Sequence, residues 1–233
     1  MIPRTQLELS TEFPEGHAFW VPRGDELGEE GFGCFRSTWL IRGVTVRETR
    51  DVMEAEAALV DLAAQVSTTS AEYDQVAAAL ETGELEELPR VVVESDAYAR
   101  AERFIPGDDV LTLGGLELGV AGAVHALSTV KCLPAARCRG HESSYAWSDA
   151  PVIFVAANRH RASVLQELVR ETNCGFNADP ARDGLLVVQA ESVVEVMLLA
   201  SAILQHRDEF VEHRTARPRP SARDGARQQS FDV

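Results

Sequence analysis

The stretch 151-PVIFVAANRHRASVLQELVRETNCGFNADPARDGLLVVQAESVVEVMLLASAILQH-206 decides the fold class. It opens on a continuous apolar run of strand length, APVIFVAA when Ala150 is included. Asn158 is placed to cap the helix RHRASVLQELVRET, whose Ala162, Leu165, Leu168, Val169 and Thr172 share one face. CGFNA and GLLVVQA read as two strands joined by a turn through Asp179, Pro180, Asp183 and Gly184. Ser192 and Glu195 have capping-box spacing at the head of VVEVMLLASAILQH, a helix apolar almost all round and therefore central to the packing. The order strand, helix, strand, strand, helix predicts an α+β half, a small mixed sheet backed by helices.

Toward the amino end, LELGVAGAVHALSTV puts Leu116, Val120, Ala123, Leu127 and Val130 on one stripe, thinned by Gly115, Gly119 and Gly122 for a close neighbour. A turn-rich seam, PGDDVLTLGG, separates residues 1–110 from residues 111–210. Before it the chain is helix-rich. VMEAEAALVDLAAQV, from Asp51, and AEYDQVAAALETG, stopped by Gly83, are helices separated by the polar run Ser67 to Ser70, which carries a fresh cap. PRVVVES reads as a short strand, SDAYARAERF as a short helix, FRSTWLIRGVTVRE as a strand and GDELGEEGFG as a loop. Residues 211–233, rich in arginine and proline, are expected to be disordered.

The chain has 233 residues, 45% of them hydrophobic, enough for one large domain or two small ones with a real core. Twenty-two basic residues stand against 37 acidic ones, a net charge of −15. Residues 214–233 carry five arginines against two aspartates, a tail of +3, so the rest stands at −18. That charge disfavours a phosphate backbone or an anionic lipid surface, so nucleic acid is not an expected partner; another protein, basic or polar, is. Arginine outnumbers lysine 21 to one, which points to a GC-rich bacterial genome. No apolar leader core stands in MIPRTQLELSTEFPEG, and no stretch reaches the ~18 to 20 apolar residues of a membrane span, so a cytoplasmic location is expected. Cys34, Cys132, Cys138 and Cys174 are read as free thiols.

Reactive chemistry gathers in 126-ALSTVKCLPAARCRGH-141, between the Gly-rich helix and the apolar strand, on what reads as a connecting loop. Lys131, Cys132, Cys138, Arg139 and His141 are the candidate site residues. Positive charge at Lys131, Arg137 and Arg139 would lower a thiol pKa and favour a thiolate nucleophile, with His141 and Glu142 at hand. The same arginines, with Gly140, would hold an anion by forked hydrogen bonds. For zinc the Cys132, Cys138 and His141 spacing is loose, and a fourth ligand would have to come from His125, His160 or Cys174, so neither a metal nor a cofactor is expected. The bland alternative is that both cysteines pack as small apolar residues while the arginines pair with the acidic body. His125 reads as a satisfied core or interface histidine, and His160 and Arg161 as exposed residues that could also face a ligand at the carboxyl end of the strand before them. GGLELG is set aside as a phosphate turn because Glu117 would face the anion.

Helix, the loop AARCRGH, the strand PVIFVA, a helix leading into Cys174-Gly175-Phe176, then strand and helix: this order, over about residues 113–205, resembles the tRNA wybutosine-synthesising methyltransferases. Cys138 and Gly140 match the cysteine and glycine of that family's Ser-Ser-Cys-Ser-Gly-Arg loop, while Ala136, Arg137, Arg139 and His141 depart from its serines and final arginine. The resemblance implies S-adenosylmethionine and methyl transfer. The sequence contains no phosphate loop, GxSxG elbow or HExxH. The leading expectation is an accessory protein that engages another protein through its acidic surface. The alternative is a small-ligand binder or enzyme, possible methyltransferase chemistry included, centred on Lys131 to His141.

Overall fold

Every side chain of the apolar run Val152–Ala156 is buried, as a strand covered on both faces requires. The computed structural model that shows this describes residues 1–22, 32–35, 38–41, 43–106, 112–141, 148–178 and 184–212, with backbone alone at 32–35 and 38–41. In chain order the elements are β1 (Phe32–Phe35), β2 (Thr38–Ile41), α1 (Val46–Val66), α2 (Ser70–Thr82), α3 (Arg90–Val93), α4 (Asp96–Ala101), α5 (Ala121–Thr129), β3 (Leu133–Cys138), β4 (Val152–Ala156), α6 (Arg159–Glu171), β5 (Gly175–Asn177), β6 (Leu186–Gln189) and α7 (Val193–Gln205). The class is α+β.

β1 and β2 pair with each other, and the larger sheet has the order β3-β4-β6-β5. Its neighbours are antiparallel throughout, where a mixed sheet was expected. The reason is topological. The crossover through α6 brings β5 back parallel to β4, but the β5–β6 connection then inserts β6 between them, so no parallel pair touches. One sheet face packs on α5, α6 and α7 through Ile153, Val155, Leu165, Leu186 and Leu199. The opposite face is a smaller cluster of Ala135, Ala136, Cys138, Phe154 and Val187, with Trp20 against it.

Capping logic is realised at Thr69, Asn158, Ser192 and Gly83. Three expectations are corrected. α1 starts at Val46 rather than Asp51, because Thr45 and Glu48 form a reciprocal capping box that the alternating pattern obscures. Within PRVVVES, Arg90–Val93 form the one-turn helix α3; it lies against α1 and α4, no strand among the described residues pairs with it, and Val92 is buried while Val91 and Val93 face outward. Of the predicted loop GDELGEEGFG, Phe32 and Gly33 belong to β1. The turn residues 179–183, residues 107–111 of the seam and residues 213–233 lie outside the described residues.

The helices of the first half join the second half through a buried carboxylate. α5 begins at Val120 without a side-chain cap of its own. Glu56 of α1, 1% exposed, supplies the missing acceptors: Ala121 N–H donates to its Oε1 at 2.7 Å and Gly122 N–H to its Oε2 at 3.1 Å. A Cβ at Gly122 would stand 2.7 Å from that carboxylate and 2.8 Å from Met53, so α1 and α5 meet this closely only because residue 122 is glycine. Burial pushes the Glu56 carboxyl up to about 7, against the pull of the backbone N–H groups.

A carboxyl whose pKa is raised on folding costs nothing where it is protonated in both states, and it destabilises the fold progressively once the unfolded chain ionises more readily than the native one. Stability from Glu56 is therefore fully present below about 4.5 and is lost as pH rises through about 7. Glu56→Gln removes that dependence. The stability difference between wild type and E56Q should fall by on the order of 3 kcal/mol between pH 4.5 and 8. Urea unfolding of both proteins across that range measures it, and parallel curves would contradict the assignment.

Candidate functional site

Residues predicted to form a loop instead make β3, the edge strand of the sheet, which is where a proline such as Pro134 is tolerated. The register with β4 shifts between Pro134 and Ala136, a bulge that places Ala135 and Ala136 on the same face. The consequence falls on the two cysteines. Six positions apart, they would share a face of a regular strand; the bulge reverses the parity, and Cys132 enters the helix-side core while Cys138 enters the opposite cluster. About 20 Å of extended chain separates them. A Cys132–Cys138 disulfide and a zinc site using both are thereby excluded.

Cys132 does not become an activated nucleophile. It is fully buried, and burial drives its thiol pKa up to about 12 despite Arg161 nearby, the reverse of the lowering expected from flanking cations. Cys174, held out as a possible ligand, is buried beside α7 and its thiol is likewise pushed up to about 12.

Arg139 is 5% exposed and its guanidinium is already occupied: Nη1 meets Asp74 Oδ1 at 2.7 Å and Nε meets Glu81 Oε1 at 2.8 Å. Burial works against its charge, but Glu81, Asp74 and Glu117 outweigh it and raise its pKa. Arg139 thus ties α2 to the end of β3 rather than presenting an empty fork to a ligand. Its backbone N–H donates to Glu117 Oε2 at 2.7 Å. Arg137 also turns inward on the protein, donating from Nη2 to Gly115 O at 2.8 Å.

Gly140 follows with φ of +78°, and a Cβ there would stand 2.5 to 2.8 Å from the backbone of Ala150 and Pro151. That tight passage sets His141 beside Cys138. Donor atoms of Glu117, Cys138 and His141 lie within 4.8 Å of one another, the group among the described residues with the composition to hold a metal ion. Sequence reasoning found two of the three. It set Glu117 aside because a carboxylate repels an anion, although the same charge beside Cys138 and His141 suits a cation.

Lys131 sits at the other end of β3. It occupies the left-handed region, φ +60°, just past the end of α5, where Cys132 N–H reaches back to Leu127 O. Glycine is the usual residue at this helix-ending position. Lys131 lines a cleft of about 340 Å³ together with Arg161, Arg207, Asp208, Phe210 and Val46. Arg161 donates to Lys131 O at 3.3 Å, and its Nε is buried with no hydrogen-bond partner. Arg207 is paired with Asp208, and Glu212, which also lines the cleft, accepts from Asn158; among the described residues neither Lys131 nor Arg161 forms an ion pair. Of the two residues that follow β4, Arg161 lines this cleft, whereas His160 bonds Glu209 O at 2.9 Å. His125 is half-buried with a buried Nδ1 that lacks a partner among the described residues, so it is not the satisfied histidine expected.

Two outcomes are expected. Arg139→Ala leaves Asp74 and Glu81 without their partner and should cost ~3 to 5 kcal/mol in urea unfolding. Native Cys132 should resist thiol reagents at pH 8 and react at the unfolding rate; rapid modification of an intact fold would show that it is accessible.

Compared with protein-family models, curated proteins and solved structures, the chain shows no match, and function is read from the residues themselves.

Proposed function

We propose that the protein binds a small anionic molecule, a carboxylate or phosphate ester with an apolar portion, in the cleft at Lys131. The observation that carries this reading is a pair of cations without an ion-pair partner among the described residues, the Lys131 ammonium and the Arg161 guanidinium with its buried Nε, at one cleft in a chain of net charge −15. The cleft is within the ~300 to 1,000 Å³ range of small-ligand sites. Phe210 and Val46 provide its apolar wall. A lysine in left-handed backbone costs stability relative to glycine, and such local strain is found where a side chain is needed for function. Lys131 acts as a point charge and Arg161 as a planar donor, a combination suited to an oxyanion.

A second reading, the accessory protein that engages another protein through its acidic surface, has one structural observation in its favour. Val194 and Leu198, one turn apart on α7, are 39% and 52% exposed. Apolar side chains at that spacing form a strip against which a partner helix can pack.

The experiment is a thermal-shift and calorimetric screen of the full chain with phosphate, pyrophosphate and small mono- and tricarboxylates. At a concentration 100 times Kd the bound anion should stabilise by about 2.7 kcal/mol. Lys131→Gly should abolish that response while making the unliganded protein ~0.5 to 1 kcal/mol more stable. A response retained in Lys131→Gly, or no response to any of these anions, overturns the cleft as the binding site. Loss of a co-purifying protein on Leu198→Glu, with Lys131→Gly unaffected, would favour the second reading.

A further inference from the structure

The opposite end of β3 carries a site of different chemistry. We infer that Glu117, Cys138 and His141 form a divalent transition-metal site of the zinc class. It does not depend on the anion cleft, from which the length of β3 separates it.

Three donors of different type converge there from two parts of the chain, with their ligand atoms within 4.8 Å of one another. Around a tetrahedral ion with bonds of ~2.0 to 2.3 Å, ligands stand roughly 3.3 to 3.8 Å apart, so a shift of about an ångström closes the shell. A thiolate sulfur, an imidazole nitrogen and a carboxylate oxygen are the donors of zinc, cobalt and related ions; magnesium and calcium take oxygen ligands. Three protein ligands leave a fourth position open, the pattern of sites where zinc binds water or a substrate.

The surroundings hold the ligands in place. Glu117 Oε2 accepts the Arg139 N–H at 2.7 Å and keeps lone pairs for a cation. Arg139 is fixed in turn by Asp74 and Glu81. Such outer-shell hydrogen bonds orient ligating carboxylates, and their loss usually weakens metal binding. Gly140 has no room for a side chain against Ala150, which sets where His141 emerges. Cys138 is buried at the end of β3, its sulfur 3.9 Å from Ser148 O. On metal binding the thiol proton leaves to solvent and the thiolate, with neutral imidazole and carboxylate, forms three metal–ligand bonds. The ligand set changes by one unit, the proton lost from Cys138, and the resulting thiolate together with the Glu117 carboxylate offsets the two positive charges of the ion.

The test uses the full chain, stripped by a chelator and titrated with Co²⁺ and then Zn²⁺. One equivalent of Co²⁺ should produce a thiolate-to-cobalt charge-transfer band and visible absorption of tetrahedral intensity, both bleached by one equivalent of Zn²⁺. Cys138→Ser should abolish the band, and Cys132→Ser, on the other face of the sheet, should retain it. His141→Ala and Glu117→Gln should each weaken Zn²⁺ binding at least tenfold, with circular dichroism unchanged. If Cys138→Ser does not fold, half-buried His141 decides the matter, since its removal leaves the strand intact. A cobalt spectrum without thiolate character, a band that survives Cys138→Ser, or a Zn²⁺ affinity indifferent to His141→Ala overturns the inference.

Discussion

A carboxylate buried between two helices holds the halves of this protein together. α5 begins without a cap of its own, and exposed N–H groups at a buried helix end are expensive to leave unmet. Glu56 meets them from 65 residues away in the chain. Because a carboxyl in that position is both desolvated and hydrogen-bonded, its ionisation is balanced near neutrality, and the joint between α1 and α5 is coupled to pH. Everything downstream inherits its placement from α5: the left-handed turn at Lys131, the start of β3, and therefore both ends at which chemistry is mounted.

A second buried charge performs the matching task at the far end of β3. Arg139 spans 65 residues to Asp74 and 58 to Glu81, so α2 is fastened to the sheet edge. Buried ion pairs are weak sources of net stability, because desolvation offsets attraction, but they penalise misplacement heavily. Arg139 therefore acts by position. It brings Glu117 to Cys138 and His141 while its own guanidinium remains committed to Asp74 and Glu81.

The single cluster read from residues 131–141 separates into two places of opposite character. At Lys131 positive charge faces a cleft; at Cys138 and His141 a carboxylate, a thiol and an imidazole converge. An extended strand divides what a loop would have kept together, and the bulge at Pro134 to Ala136 sends the cysteines to different faces. Proximity in sequence measured proximity in space poorly here because β3 spends ~3.3 Å of length on each residue.

Much of the architecture is local and was legible from residues alone. Capping at Thr69, Asn158 and Ser192, the stop at Gly83, the apolar run of β4 and the 3.6-residue stripe of α6 each express forces acting over a few neighbouring residues, and they determined the α+β class. The same local rules misjudged Arg90–Val93, since three valines favour a strand only where a sheet edge offers partners, and tertiary packing offered α1 and α4. Tertiary structure alone decided that β6 lies between β4 and β5, that Glu56 caps α5, that Arg139 is spent on Asp74 and Glu81, and that Glu117 joins Cys138 and His141. Each of these is a pairing across tens of residues, and no periodicity within one segment encodes which distant partner a charge, a strand or a donor atom will meet.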